Sequence, residues 1–226
     1  MTKNYVHGIL AFLVFLFFAP FLPVYGANEW EYWASESVGV TLTNGIGVRM
    51  EMESRWRDNT REFYRHYAQL QLDFRISDCV TVSPIIRELY WLNDKTKDPH
   101  DWYVEHRPML DLALKYNLSG WETVNRSRLS YRAFDIDTDN VFGVRQLLLV
   151  RSPWKWTRLQ INPWVSDEIW FEEHKPGLYQ NWFSTGIGMT IVENFKVELY
   201  YLWEDSKKTG EWMDTNIVGT RLRGVF

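Results

Sequence analysis

The sequence predicts an all-β fold: an antiparallel transmembrane β-barrel of the outer-membrane type, with ten or twelve strands, short periplasmic turns and longer external loops. Three observations predict it. Apolar and polar residues alternate with period two over long stretches, the side-chain period of a strand and not of a helix. These stretches run to roughly 11–16 residues, where strands of soluble proteins have about 3–10 and a tilted strand needs about 9–11 to cross hydrocarbon. Short and longer connections alternate along the chain, as in barrels whose hairpins turn on opposite sides of a membrane.

The amino end precedes the barrel. Lys3 supplies a positive charge, the run from Ile9 to Leu22 is almost wholly apolar, and polarity rises at Asn28 and Glu29. Val24 and Gly26 suit cleavage before Ala27. The three-part pattern predicts a signal peptide over residues 1–26, cleaved on export, and a single barrel domain over 27–226. Pro20, Pro23 and the shortness of the run argue against a membrane anchor.

The first barrel segment, Trp30 to Thr43, is the one whose place is open. Single-chain bacterial barrels have an even number of strands, and eleven segments can be counted. Trp30 to Thr43 is therefore expected either to lie in the lumen or across its mouth, leaving ten strands, or to be one of twelve.

The next segments are clearer. From Ile46 to Arg57, Ile46, Val48, Met50, Met52 and Trp56 share one face, and Arg49, Glu51, Glu53, Arg55 and Arg57 share the other. His66, Ala68, Leu70, Leu72, Phe74 and Ile76 oppose Arg65, Tyr67, Gln69, Gln71, Asp73 and Arg75. Pro108, Leu110, Leu112, Leu114 and Tyr116 oppose Arg107, Asp111 and Lys115; Leu129, Tyr131 and Ala133 oppose Arg126, Arg128 and Arg132. Leu159, Ile161, Pro163, Val165 and Ile169 oppose Gln160, Asn162, Ser166 and Glu168. Phe183, Ile187, Met189 and Ile191 oppose Ser184, Gly186, Gly188 and Thr190; Val197, Leu199, Tyr201 and Trp203 oppose Glu198 and Glu204. The last segment sets Val218, Thr220, Leu222 and the terminal Phe226 against Arg221 and Arg223.

Short connections are expected at Asn44-Gly45, Ser77-Asp78, Ser119-Gly120, near Pro153-Trp154, and at Glu193-Asn194. Longer ones are expected at Asp58 to Arg61, Asn93 to Asp101, Asp135 to Asn140, Glu172 to Tyr179, and Ser206 to Glu211. This alternation puts the carboxyl end in the periplasm. Aromatic residues near strand ends (Trp56, Tyr90, Trp91, Trp102, Tyr103, Trp121, Trp154, Trp156, Trp170, Trp203 and Trp212) are expected to form two girdles at headgroup level.

A polar face this rich in arginine belongs in a lumen, since a soluble core holds unpaired charge only at high cost. The expected lumen-facing charges are Arg49, Glu51, Glu53, Arg55, Arg65, Asp73, Arg75, Arg107, Arg126, Arg128, Arg132, Glu168, Glu198, Arg221 and Arg223, joined by Arg57, Arg87, Asp111, Lys115 and Glu204. Cations outnumber acids on these strands although the whole chain carries −4. Two interiors fit: an anion-favouring passage, or a closed network filling a narrow barrel. Under either, interior substitutions such as Arg128→Ala are expected to be milder than Arg at Leu112 or Leu199.

Several classes are excluded or disfavoured. Net charge −4 argues against a nucleic-acid binder, and 46% hydrophobic with 17% aromatic residues argues against disorder. The single cysteine, Cys79, has no partner for a disulfide. No HExxH, cysteine pair or phosphate-binding glycine loop is present, so no cofactor and no metal are expected, and His66, His100 and His174 are scattered. An outer-membrane lipid-modifying enzyme is the alternative function; Ser127 and His106 both fall on the lipid-facing parity, and no catalytic residue is assigned. The outer loops are too small for a dedicated recognition surface.

The ordered motifs resemble one family. They are Trp33, Glu51-Met52-Glu53-Ser54-Arg55, Glu105-His106-Arg107, Asn125 to Arg132, Asn162-Pro163-Trp164 with Asp167-Glu168, Gly186-Ile187-Gly188 and Glu198-Leu199-Tyr200-Tyr201. This series resembles the DUF2490 family of bacterial outer-membrane barrels, across essentially the whole mature chain. Trp182 departs from it, standing where that family leads one to expect Arg. The resemblance implies fold and location, the outer membrane of a Gram-negative bacterium, and no activity. It also implies that Phe226 serves as an assembly signal. The expected partners are outer-membrane lipid and the barrel-assembly machinery during biogenesis. No nucleic-acid partner is expected, and the barrel is expected to be monomeric, serving as a structural element or small-solute pore.

Overall fold

The computed structural model describes residues 30–94, 96, 101–175, 177–208 and 210–226; the expected signal peptide lies outside them, as do His100 and Pro176. The described chain is eleven strands and their connections: β1 (Trp30–Thr43), β2 (Ile46–Arg57), β3 (Glu62–Arg75), β4 (Val80–Leu92), β5 (Trp102–Leu118), β6 (Trp121–Phe134), β7 (Val141–Arg151), β8 (Asn162–Glu172), β9 (Leu178–Val192), β10 (Phe195–Lys208) and β11 (Glu211–Val225). They form one closed barrel in chain order, β1 to β11 and back to β1. No described helix is long and apolar enough to cross a membrane, which a barrel that crosses with strands does not require.

The expectation of ten or twelve strands is corrected to eleven, and β1 is neither in the lumen nor across the mouth. It is a wall strand, antiparallel to β2 and parallel to β11. The reason is geometric. Strands that alternate up and down leave the first and the eleventh pointing the same way, so an odd barrel closes only through one parallel pair. Leaving β1 out would expose the ladder edges of β2 and β11. The seam runs from Trp30 opposite Asn216 to Gly39 opposite Val225. Tyr32 and Thr220 hydroxyls share a 2.8 Å hydrogen bond across it. Phe226 finishes it: its N–H donates to Gly39 O (2.9 Å), and its own carbonyl accepts from the Thr41 N–H (2.9 Å). The two chain ends of the barrel therefore lie on opposite rims.

The turns also differ from expectation at two places. The β7–β8 connection is residues 152–161, and Leu159 and Ile161, expected in a strand, belong to it. A small bridge of Trp156 with Ile161, positive φ at Thr157 and Gln160, and stacking of Trp156 on Trp154 and of Trp154 on Trp121 give it a structure of its own. Conversely, β10 and β11 continue pairing to Lys208 opposite Glu211, so this long-side connection is a tight hairpin. Strict alternation of turn length is thus broken once on each rim.

The two faces follow period-two parity. Outward stand Met50, Leu70, Ile86, Leu110, Leu129, Leu148, Val165, Phe183 and Leu199, all at least 39% exposed. Polar residues interrupt this face in cross-strand pairs: Ser54 with His66 (3.0 Å), His106 with Glu88 (3.1 Å), Ser127 donating to Gln146 (2.6 Å), and Asn181 donating to Asp167 (2.7 Å). At the loop end Trp56, Phe63 and Trp102 stack outward. Trp91, Tyr103 and Trp170, expected in the girdles, instead turn inward. Trp91 donates to the fully buried Glu105 (3.1 Å), Tyr103 stacks on Trp91, and Trp170 is 7% exposed. Their parity matches Arg87, Arg107 and Glu168, which is why they face the interior.

Candidate functional site

The site is the barrel interior, and a slab of stacked side chains divides it in two. Arg55 lies 3.2 Å over the Trp33 ring, Trp33 meets Trp182 edge-on at 5.2 Å, Trp182 packs on Trp170 at 4.5 Å, and Arg145 lies 3.3 Å over Trp170. Each contact joins different strands, so the stack crosses the lumen from β2 through β1, β9 and β8 to β7. Trp164, Tyr200, Leu202 and Ile217 pack with Trp33 into the buried apolar cluster that supports it. Glycines make room. A Cβ on Gly219 would sit 2.1 Å from the Tyr200 ring, and one on Gly186 would sit 2.8 Å from both Trp164 and Tyr200. The Gly186 contact accounts for part of the Gly-Ile-Gly pattern as relief of crowding.

On the loop side of the slab the interior is filled. Glu105 is fully buried and receives Arg107 (2.5 Å) and Arg132 (2.9 Å), while Arg132 also reaches Glu172 (2.6 Å). Tyr179 donates to that same Glu172 (2.7 Å). Leu89, opposite Glu105 on the neighbouring strand, is fully buried here as well. Charge-assisted bonds of this kind satisfy buried carboxylates whose desolvation would otherwise be prohibitive.

On the short-turn side lies a cavity of about 600 Å³, lined from the slab down to Asn44 and Gly45 in the β1–β2 turn. Eleven Arg or Lys side chains line it against six Asp or Glu. Behind its wall Glu198 takes Arg151 (2.9 Å), Arg221 (2.9 Å) and Arg223 (3.2 Å), one carboxylate for three guanidiniums. Nearer the slab, Arg128 grips Asp111 with two hydrogen bonds (2.6 and 2.8 Å), and Arg126 reaches Glu168 (2.7 Å). Such a surplus in a confined space raises the local concentration of anions.

A family model described as "Protein of unknown function (DUF2490)" matches residues 30–214. The chain belongs to the DUF2490 family. No curated protein matches it. The family match includes β1 and so includes the strand that makes this DUF2490 barrel odd.

The expected interior residues now have places. Arg49, Glu51, Asp73, Arg75, Arg126, Arg128, Glu168, Arg221 and Arg223 line the cavity, and Glu198 lies just behind it. Glu53 and Arg55 pair at 2.6 Å at its upper edge. Arg65, Arg107 and Arg132 belong to the filled half, Arg65 lying 4.2 Å over the Trp91 ring. Arg128 is 5% exposed and holds the buried Asp111 carboxylate. Arg145, Trp33, Trp164, Trp170 and Trp182 were not picked out as a group; parity places them inward, but only three-dimensional closure brings β1, β7, β8 and β9 together. Trp182 is the middle of the slab.

The Ser127–His106 pair does not exist in the DUF2490 barrel. His106 stands opposite Ala133 and bonds Glu88, while Ser127 stands opposite Leu112 and bonds Gln146. Among the described residues no group of His, Cys, Asp and Glu is arranged to hold a metal. Cys79 is exposed in the β3–β4 turn.

Proposed function

We propose that this DUF2490 protein is an outer-membrane barrel that is closed to solute flow and carries, on its short-turn side, a vestibule for small anions. The observation that carries the reading is the pairing of a slab across the lumen with a cavity whose charged lining is mostly guanidinium. A passage for ions would need continuous water, and the stack from Arg55 to Arg145 interrupts it. The outward apolar face and the strand lengths support a membrane setting, reached through the signal peptide over residues 1–26. In this reading the short-turn rim and Phe226 face the periplasm, Phe226 marks the chain for the assembly machinery, and lipid surrounds a monomer. The amino end of β1 then opens on the external rim, a consequence of the odd strand number.

The test is conductance of the mature chain, refolded and inserted in a planar bilayer under a salt gradient. The unaltered barrel is expected to be silent. Trp182→Ala removes the centre of the slab and is expected to give steps that favour anions. Steady steps from the unaltered barrel overturn the closed reading.

A further inference from the structure

We propose that the floor of the vestibule is a binding site for a phosphate group, held between Arg145 and Arg87. The proposal deepens the vestibule reading and rests on it. Arg145 lines the cavity, is 4% exposed, and makes no hydrogen bond or salt bridge with any described residue; its one close contact is the face of Trp170. A buried guanidinium without an acceptor is costly, and its five N–H groups are presented to whatever enters. Arg87, 6% exposed, lies across the same floor. It donates only to the Gln69 side-chain oxygen (2.9 and 2.5 Å) and stacks on Tyr67 at 4.0 Å. Glu51, on the Arg87 side, is engaged by the Tyr67 hydroxyl (2.6 Å) and makes no salt bridge with Arg87.

The charges acting on Arg145 include Arg107, Glu168, Arg128 and Arg87. Arg126 and Arg128 are matched by Glu168 and Asp111, and Arg107 by Glu105. Arg87 and Arg145 are left without a salt bridge, against one carboxylate, Glu51, that also has none, a surplus of one positive charge at the closed end of a water-accessible cavity. An independent observation points the same way. The buried side-chain atoms lining this cavity that lack any hydrogen-bond partner, among the described residues, are Arg126 Nε, Trp164 Nε1 and Trp182 Nε1. All three are donors. A site whose unpartnered buried atoms are donors and which holds two guanidiniums without a salt bridge fits an anion built of acceptors, and the planar fork of arginine matches phosphate geometry.

The experiment is titration of the barrel, folded in detergent micelles, with inorganic phosphate and with pyrophosphate at fixed ionic strength in chloride. Tryptophan fluorescence reads it, since Trp170 touches Arg145 and Trp164 and Trp182 carry the spare donors. A saturable change is expected that chloride does not produce. Arg145→Met, which keeps the stem over Trp170, should weaken phosphate at least tenfold, and Arg145→Lys should recover part of the loss. Glu168→Gln should tighten phosphate several-fold, a gain that a misfolded chain does not give. A second arm adds phosphatidylglycerol to zwitterionic micelles: competition with inorganic phosphate assigns the group to a lipid headgroup, and its absence assigns a free phosphate. No saturable signal, or equal binding by Arg145→Met and the unaltered barrel, overturns the site. A silent bilayer without phosphate binding removes the site and keeps the closed barrel; conductance with phosphate binding does the reverse.

Discussion

Above the slab, Glu105 is wholly inaccessible and two arginines converge on it, while Arg132 is shared onward with Glu172 and Tyr179. Below the slab, Glu198 is just as central to its strands, yet the three arginines it holds are 20%, 28% and 39% exposed. The two halves use the same residue types at the same period-two positions. What differs is water. Where Leu89 closes the gap beside Glu105, the carboxylate is matched by guanidiniums, while Arg65 in the same half has no carboxylate and lies on the Trp91 ring instead. Where a cavity remains, cations can exceed acids because solvent screens the surplus. A dry carboxylate thus needs its cations, whereas a dry guanidinium can rest on an aromatic face.

The contrast can be broken most forcefully at Glu105. Glu105→Ala leaves Arg107 buried without an acceptor, and removing one partner of a buried ion pair costs about 3–5 kcal/mol. Urea unfolding in micelles is expected to show a loss of this size. A loss below about 1 kcal/mol would mean that water already reaches the loop-side half.

The slab itself comes next. Gly219→Ala drives a methyl into Tyr200, whose ring lies 2.1 Å from the new atom, and overpacking of this kind costs about 1–3 kcal/mol. The change should be smaller in a Tyr200→Leu background, where the ring is gone. Equal cost in both backgrounds would place the strain elsewhere.

The matching change in the hollow half is gentler. Glu198→Ala releases three guanidiniums that are already partly solvated, so water can replace much of what the carboxylate supplied. Stability should therefore fall much less than for Glu105→Ala, while phosphate affinity should rise as the cation surplus grows. Equal losses at the two glutamates would erase the distinction between the halves.

These halves were only partly legible in the sequence. Parity alone puts Arg49, Glu51, Arg126, Arg128, Arg221 and Arg223 inward, because strand side chains alternate whatever their neighbours do. The strand count was not legible. An even number is a property of most such barrels, and only the pairing of Trp30–Gly39 with Asn216–Val225 reveals the parallel seam. Turn length misled at Pro153-Trp154, where stacked indoles stabilise a connection that reads as a turn. The division of the lumen was illegible for a further reason. Arg145 and Arg107 look alike in sequence; whether each finds a carboxylate depends on which strands face one another across the closed barrel.

The smallest expected effect lies outside the lumen and extends the rule to the rim. Arg57, at the end of β2, holds Asp94 of the β4–β5 loop in a two-pronged pair, with Nη1 at 3.0 Å from one carboxylate oxygen and Nη2 on the other. This hydrogen bonding holds the Asp94 carboxyl below its ordinary value. A lowered folded-state value means that the carboxylate contributes stability above the unfolded pKa of about 4, and the contribution is lost as pH falls through the folded value. The Asp94 side chain is 63% exposed, so solvent screening limits the contribution to about 1 kcal/mol or less. Asp94→Asn should therefore be slightly less stable than the unaltered barrel at pH 7, and the gap should close as pH falls below about 4. A gap that stayed open well below about pH 4 would mean that something other than the charge pair with Arg57 is what Asp94 contributes.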